Sequence, residues 1–207
     1  MTRLGSVSRS TATSLLVLLF LLLLPAVAGA QEAAEDQMSA EQQAMMEAYM
    51  KAATPGEEHA MLADHAGTWK AVVKAWMEPG GEPQMSDGVF RRELLLGGRV
   101  LQEEYEGSFE GQPFLGYGLT GYDNVTGRWW STWNDNMSTG VMVMWGEWNE
   151  EKGAVVYRGE APDPMSGGMV EMKIVVRHPE DGKEVMEMYD LRSGTPVKTM
   201  EITSTRQ

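Results

Sequence analysis

The chain of 207 residues contains no cysteine. That excludes disulfide stapling, thiolate metal centres and lipid attachment through a cysteine, so stability has to come from apolar burial and sheet hydrogen bonds. Basic side chains are few, 17 Lys and Arg against 30 Asp and Glu, for a formal charge of −13. Such a surface repels phosphate backbones and anionic lipid heads, and nucleic acid is not expected as a partner. Histidine occurs only at His59, His65 and His178, without the spacing of a zinc site. The G-x-S-x-G elbow, the H-E-x-x-H helix and the phosphate loop are also absent. No catalytic residue, cofactor or metal site is read from these motifs.

Long apolar runs are confined to the start. Arg3 and Arg9 precede a run from Leu15 to Leu24, then Pro25 and the small-residue end Ala28-Gly29-Ala30. This is the layout of a secretory signal peptide cleaved after Ala30, and the run is short for a membrane span. The sequence thus predicts a periplasmic or secreted protein with no stable membrane insertion after cleavage. Removing 30 of 207 residues leaves 177, enough for one domain, and losing Arg3 and Arg9 moves the charge from −13 to −15.

Residues 31–57 read as a flexible polar N-terminus and an amphipathic helix, and residues 58–207 as the folded domain. Ser39 and Gln42 form a capping box ahead of Met45, Met46, Tyr49 and Met50, which share one helical side. Thr54-Pro55-Gly56-Glu57 predicts a second start, with Thr54 as cap and Glu57 completing its box. Met61, Leu62 and His65 then form a stripe that stops at Gly67.

From Thr68 the pattern alternates, and glycine-rich turns recur every dozen or so residues. Ten strands are expected: 68–77, 84–96, 100–109, 113–122, 128–133, 139–148, 154–160, 169–177, 184–191 and 197–205. No connection is long enough for a crossover helix, so all pairs should be antiparallel. The fold class is mainly β, an up-and-down antiparallel barrel of about ten strands preceded by two short helices, closed to avoid exposed edges. With an even strand count the last strand runs beside the first, placing Arg206 over the face of Trp69 and shutting one end.

Five of the seven tryptophans lie between Phe114 and Trp148. Alternation puts Trp129, Ser131, Trp133 and Asp135 on one face and Trp130, Thr132 and Asn134 on the other. Both faces of this hairpin are largely apolar, so the outer one needs a cover. The methionine-rich helix is the expected cover, with a partner chain or membrane as the alternative. Gly116 and Gly118 leave a gap on one face of the fourth strand, open to a ligand inside or a helix outside. The turn from Asn134 to Thr139 is built from capping residues, and Asp135 serves as turn structure before it serves as a base. Methionine clusters such as Met142/Met144 and Met186/Met188 suit Cu(I), but core filling is the stronger reading.

Gly67-Thr68-Trp69 opening a meander after a helix resembles the calycin or lipocalin-like barrels, whose late arginine packs over that tryptophan. Gly118-Leu119-Thr120-Gly121-Tyr122-Asp123, then Trp133, then Asp135-Asn136-Met137-Ser138-Thr139-Gly140 resembles more closely the bacterial family known as domain of unknown function 1579. Val185-Met186-Glu187-Met188-Tyr189 belongs to the same likeness, which runs from about His59 to Arg206. It implies a lipocalin-like barrel and export, and supplies no chemistry. No Thr-Asp-Tyr segment or disulfide is present, so lipocalin ligands are not carried over.

Three functions stay open. The first is a barrel binding a small apolar or aromatic ligand at Trp69, Gly116, Gly118, Trp133, Asp135, Met142 and Met144. The second is a hydrolase or isomerase with Asp135 or Glu104 as base, since one carboxylate among Glu103, Glu104, Glu187 and Asp190 should face inward. The third is a non-catalytic interaction or dimerisation module. The oligomeric state is left open.

Overall fold

The computed structural model describes residues 38–207. The expected signal peptide, its cleavage site and the polar segment to Gln37 lie outside the described residues. The chain divides into two units between Tyr49 and Met50.

Helix α1 (Ala40–Ala53) crosses that division. Its start is the expected capping box: Gln42 N donates to Ser39 Oγ at 3.2 Å, and Ser39 N donates to Gln42 Oε1 at 2.9 Å. Its methionine stripe behaves differently. Met45, Met46, Tyr49 and Met50 are all exposed, and α1 buries no side chain. Capping and helix-forming residues suffice for a helix of 14 residues without a buried face.

In the second unit, Asn124 Nδ2 donates to Ala52 O at 3.1 Å and Thr54 O at 2.7 Å, and Arg99 Nη2 donates to Ala53 O at 2.6 Å. These turn side chains satisfy carbonyls that a helix end leaves free. Helix α2 (Glu57–Ala63) starts two residues later than Thr54 would place it. Gly56 is the cap, and its N–H donates to His59 Nδ1 at 3.1 Å. The Thr54 hydroxyl instead closes α1 by donating to Met50 O. Leu62 and His59 are buried, whereas His65 lies past the helix end and Gly67 opens the first strand.

Ten strands form the barrel: β1 (Gly67–Ala75), β2 (Gln84–Leu95), β3 (Val100–Phe109), β4 (Gln112–Asp123), β5 (Arg128–Asp135), β6 (Met142–Asn149), β7 (Ala154–Asp163), β8 (Gly168–Glu180), β9 (Lys183–Asp190) and β10 (Val197–Arg206). Each pairs antiparallel with its sequence neighbours, and β1 pairs with β10, closing the sheet. This is the up-and-down barrel that the alternation and short turns require, and it has no free edge.

Two buried clusters fill the interior. One joins Trp69, Ala71, Val73, Phe90 and Tyr105; the other joins Leu62, Leu101, Trp129, Met144, Tyr157 and Ile174 with their neighbours. Glycine makes room for large rings on the next strand. A Cβ on Gly116 would stand 2.0 Å from Trp133 Cζ2, and one on Gly118 3.0 Å from Trp133 Cε3. The gap expected there is occupied by the protein's own indole. On the outer face a Cβ on Gly121 would stand 2.4 Å from Trp130 Cζ2, and Arg128 lies 5.5 Å from the ring centre of Trp145. Tyr117, Val143 and Trp145 nonetheless stay exposed.

Gly159 has the least tolerance, because an added Cβ would lie 2.2 Å from the backbone oxygen of Val143, which cannot rotate away. Gly159→Ala is expected to cost at least about 2 kcal/mol, a fall of roughly 4–8 °C in Tm. Gly81→Ala, where the nearest contact is an ordinary 3.4 Å, is expected to stay within about 0.5 kcal/mol. Calorimetry of the two variants checks the contrast.

Candidate functional site

Inward alternation on β2 puts Arg92 between Phe90 and Leu94, and on β9 it puts Glu184 ahead of Met186. The register pairs Arg92 with Glu103 across β2 and β3. These positions converge on a guanidinium that is almost wholly buried. Arg92 Nη2 donates to Glu184 Oε1 at 2.7 Å, Nη1 donates to Glu184 Oε2 at 3.2 Å, and Nε lies 2.8 Å from Glu103 Oε1. The guanidinium carbon is also 5.1 Å from the ring centre of Trp69 and 4.9 Å from that of Phe90.

A cation here is stable only because two carboxylates and two aromatic faces replace its water. Burial works against its charge, but Glu184 and Glu103 outweigh that effect and keep Arg92 protonated. The carboxylates respond in opposite directions. Burial pushes Glu103 up, with Arg92 opposing; Glu184 is buried too, but Arg92 and the hydrogen bond with His178 hold it well below the usual range. Tyr157 is driven up by burial and by the charges of Glu103 and Glu184, so its hydroxyl keeps its proton.

Both β8 and the segment after α2 add a histidine. His178 Nε2 lies 3.2 Å from Glu184 Oε2, and His65 Nδ1 lies 4.0 Å from the same oxygen. The two rings are 4.2 Å apart, and the three donor atoms fall within 4.8 Å of one another. His65 is anchored through its backbone, its carbonyl accepting from Trp69 Nε1 at 2.9 Å. Its Nδ1 is buried and has no hydrogen-bond partner. Burial, with His178 adding and Glu184 opposing, lowers the His65 pKa to about 4, so its imidazole is neutral at pH 7. These three groups could hold a metal ion; the remaining members of the cluster hold one another.

The cluster floors a cavity of about 90 Å³. Leu101, Trp129, Met144 and Ile174 give it apolar walls, while Glu103, Glu184, His65 and His178 give it a polar side. Met61 and Leu62 of α2 also line it. Of the residues singled out for a ligand, Met144 lines this cavity; Trp69, Gly116, Gly118, Trp133, Asp135 and Met142 do not. Trp69 lies beneath the cluster, and Arg206, its register partner, has its guanidinium carbon 4.8 Å from the indole centre. Arg206 also donates to Ala66 O at 2.9 Å and to Asp64 O, tying the C-terminus to the segment after α2.

Asp135 is engaged in its turn, accepting from Trp133 Nε1 at 3.1 Å and Met137 N at 3.0 Å. Glu104 faces solvent, and Glu187 points outward beneath Arg177 and Lys198. Neither Asp135 nor Glu104 reaches the cavity, which removes both as bases acting there. Among the carboxylates offered by alternation Glu103 is the one that lines the cavity, and Arg92 and Glu184 were not singled out from the sequence. The signal was available: an arginine in the inward phase between Phe90 and Leu94 demands an inward anion.

The architecture is thus a closed, ten-strand, up-and-down antiparallel β-barrel with a small cavity beside a charged cluster. The chain belongs to the family described as protein of unknown function (DUF1579), which it matches over residues 54–206. No curated protein matches it. Among solved structures, a redesigned β-barrel, mFAP1, bound to DFHBI, is 14% identical with a TM-score of 0.37, covering 73% of this chain and 100% of that one.

Removing the buried cation should be severe. Arg92→Met leaves two buried carboxylates unpaired and is expected to cost about 3–5 kcal/mol, most of it recovered when Glu103→Gln and Glu184→Gln are added. Urea unfolding of the single and triple variants measures this. The pH dependence follows from His65. Its folded value near 4 lies below the unfolded value of about 6.5, so the unfolded chain binds more protons between them. Stability is therefore complete above that window and falls as pH drops through it, by up to about 3 kcal/mol. Glu184, depressed when folded, adds loss in the same direction below its ordinary value of 4.5. Urea midpoints of chelator-treated protein should decline from pH 6.5 to 4, and His65→Gln should flatten that decline.

Proposed function

We propose that this protein is an exported barrel that binds a ligand of a few heavy atoms in the cavity above Arg92. The carrying observation is the cavity itself: about 90 Å³, apolar on its walls and charged on its floor. That volume is well under the roughly 300 Å³ of ordinary ligand pockets and under the roughly 150 Å³ that admits benzene. The ligand proposed is therefore at the small end of the apolar or aromatic molecules first expected. Such a ligand would place a hydrogen-bonding or cationic group against Glu103, Glu184 and the two imidazoles, and its apolar part against Met144 and Trp129. The unpartnered Nδ1 of His65 supports this, since buried polar atoms in native proteins are normally satisfied.

Export rests on Arg3, Arg9, the Leu15–Leu24 run and Ala28-Gly29-Ala30. The acidic, cysteine-free composition is compatible with it.

Native mass spectrometry of protein isolated from its host should show a small organic molecule bound to the mature chain. Ser131→Leu, which adds a side chain to the cavity wall, should abolish the adduct while circular dichroism stays unchanged. A bare mass for the wild type, or an adduct that survives Ser131→Leu, would count against this reading.

A further inference from the structure

We propose that His65 Nδ1, His178 Nε2 and Glu184 Oε2 form a site for a divalent transition-metal ion, with open coordination positions facing the cavity. The inference deepens the cavity reading and rests on it for what would occupy those open positions. Its own basis is the geometry of the three donors.

Nitrogen ligands bind such metals at about 2.0–2.1 Å, which separates neighbouring donors by roughly 3.3 Å in a tetrahedral site. His178 Nε2 and Glu184 Oε2 stand at 3.2 Å, His65 Nδ1 and Glu184 Oε2 at 4.0 Å, and no pair exceeds 4.8 Å. Side-chain adjustments of up to about 1.5 Å close the set. Two imidazoles with one carboxylate are a donor set for zinc or ferrous iron, and three protein ligands leave room for water or a small ligand.

Two further features fit. First, His65 Nδ1 is buried without a hydrogen-bond partner, so no protein group uses that nitrogen. Second, the surroundings do what the outer partners of a metal site do. Arg92 grips Glu184 through two hydrogen bonds and fixes the carboxylate, while Trp69 Nε1 fixes His65 through its carbonyl. Arg92 is shared between Glu184 and Glu103, so one cation faces two carboxylates in the cluster. His178, partly exposed, provides an entry side.

The test uses the full mature chain, stripped with a chelator and titrated with Zn²⁺ or Co²⁺ alone. Isothermal titration should find one ion per chain, and Co²⁺ should acquire the visible ligand-field bands of a nitrogen–oxygen site. Zn²⁺ should shift the imidazole NMR signals of His65 and His178. His59, whose Nδ1 is already engaged by Gly56 N at 3.1 Å, should not move. His178→Ala should weaken binding by at least about tenfold, and Glu110→Gln, at an exposed acidic position, should not.

The proposal is overturned if the wild type takes up no stoichiometric ion. It is equally overturned if His178→Ala binds like the wild type, or if the signals of His65 and His178 stay in place. Because the NMR readout is made on the unsubstituted chain, a variant that fails to fold leaves the test intact. Because no organic ligand is present, a negative result leaves the cavity reading standing, and a bare mass from the host leaves this one standing.

Discussion

The structure depends on how one buried cation is compensated. Arg92 sits inside the barrel with its side chain all but inaccessible, and removing water from a guanidinium costs several kcal/mol. Glu184 and Glu103 supply the anions, while Trp69 and Phe90 supply polarisable faces. These partners come from β9, β3, β1 and β2, so the pairing can form only when distant parts of the chain are in register. Trp69 carries the constraint outward, since Arg206 packs on it from the last strand and then binds carbonyls after α2. Charge compensation and barrel closure are therefore one problem with one solution.

That solution leaves a residue of unused polarity. Both Nη atoms of Arg92 are bonded to Glu184, which it holds ionised, but the imidazoles of His65 and His178 stand beside the same carboxylate with less to do. A purely structural cluster would be completed by a hydrogen bond to His65 Nδ1. Instead a small cavity begins there. Polar floor, apolar walls and one open edge are the conditions under which a site recognises a small polar ligand or an ion.

The strand order was legible because alternation, glycine turns and the lack of crossover lengths all point to one topology. Register follows from the same alternation, which is why Trp69 and Arg206 meet across β1 and β10. Glu103 was legible as one of several candidates. What alternation cannot show is which glycine gap is filled: Gly116 and Gly118 look open in the sequence, yet Trp133 occupies them. Nor can it show that His65 and His178, 113 positions apart, converge on Glu184, because that distance is closed by the barrel's curvature. The methionine side of α1 shows a related limit of pattern. Periodicity marks a face that is able to be buried, and here it remains exposed.

The most direct test is a high-resolution crystal structure of the protein purified without chelator. A non-protein feature adjacent to His65 Nδ1, in a preformed cavity walled by Met144 and Trp129, is the predicted result. A His65 ring turned to bond a protein atom, with the cavity collapsed around it, would contradict the account.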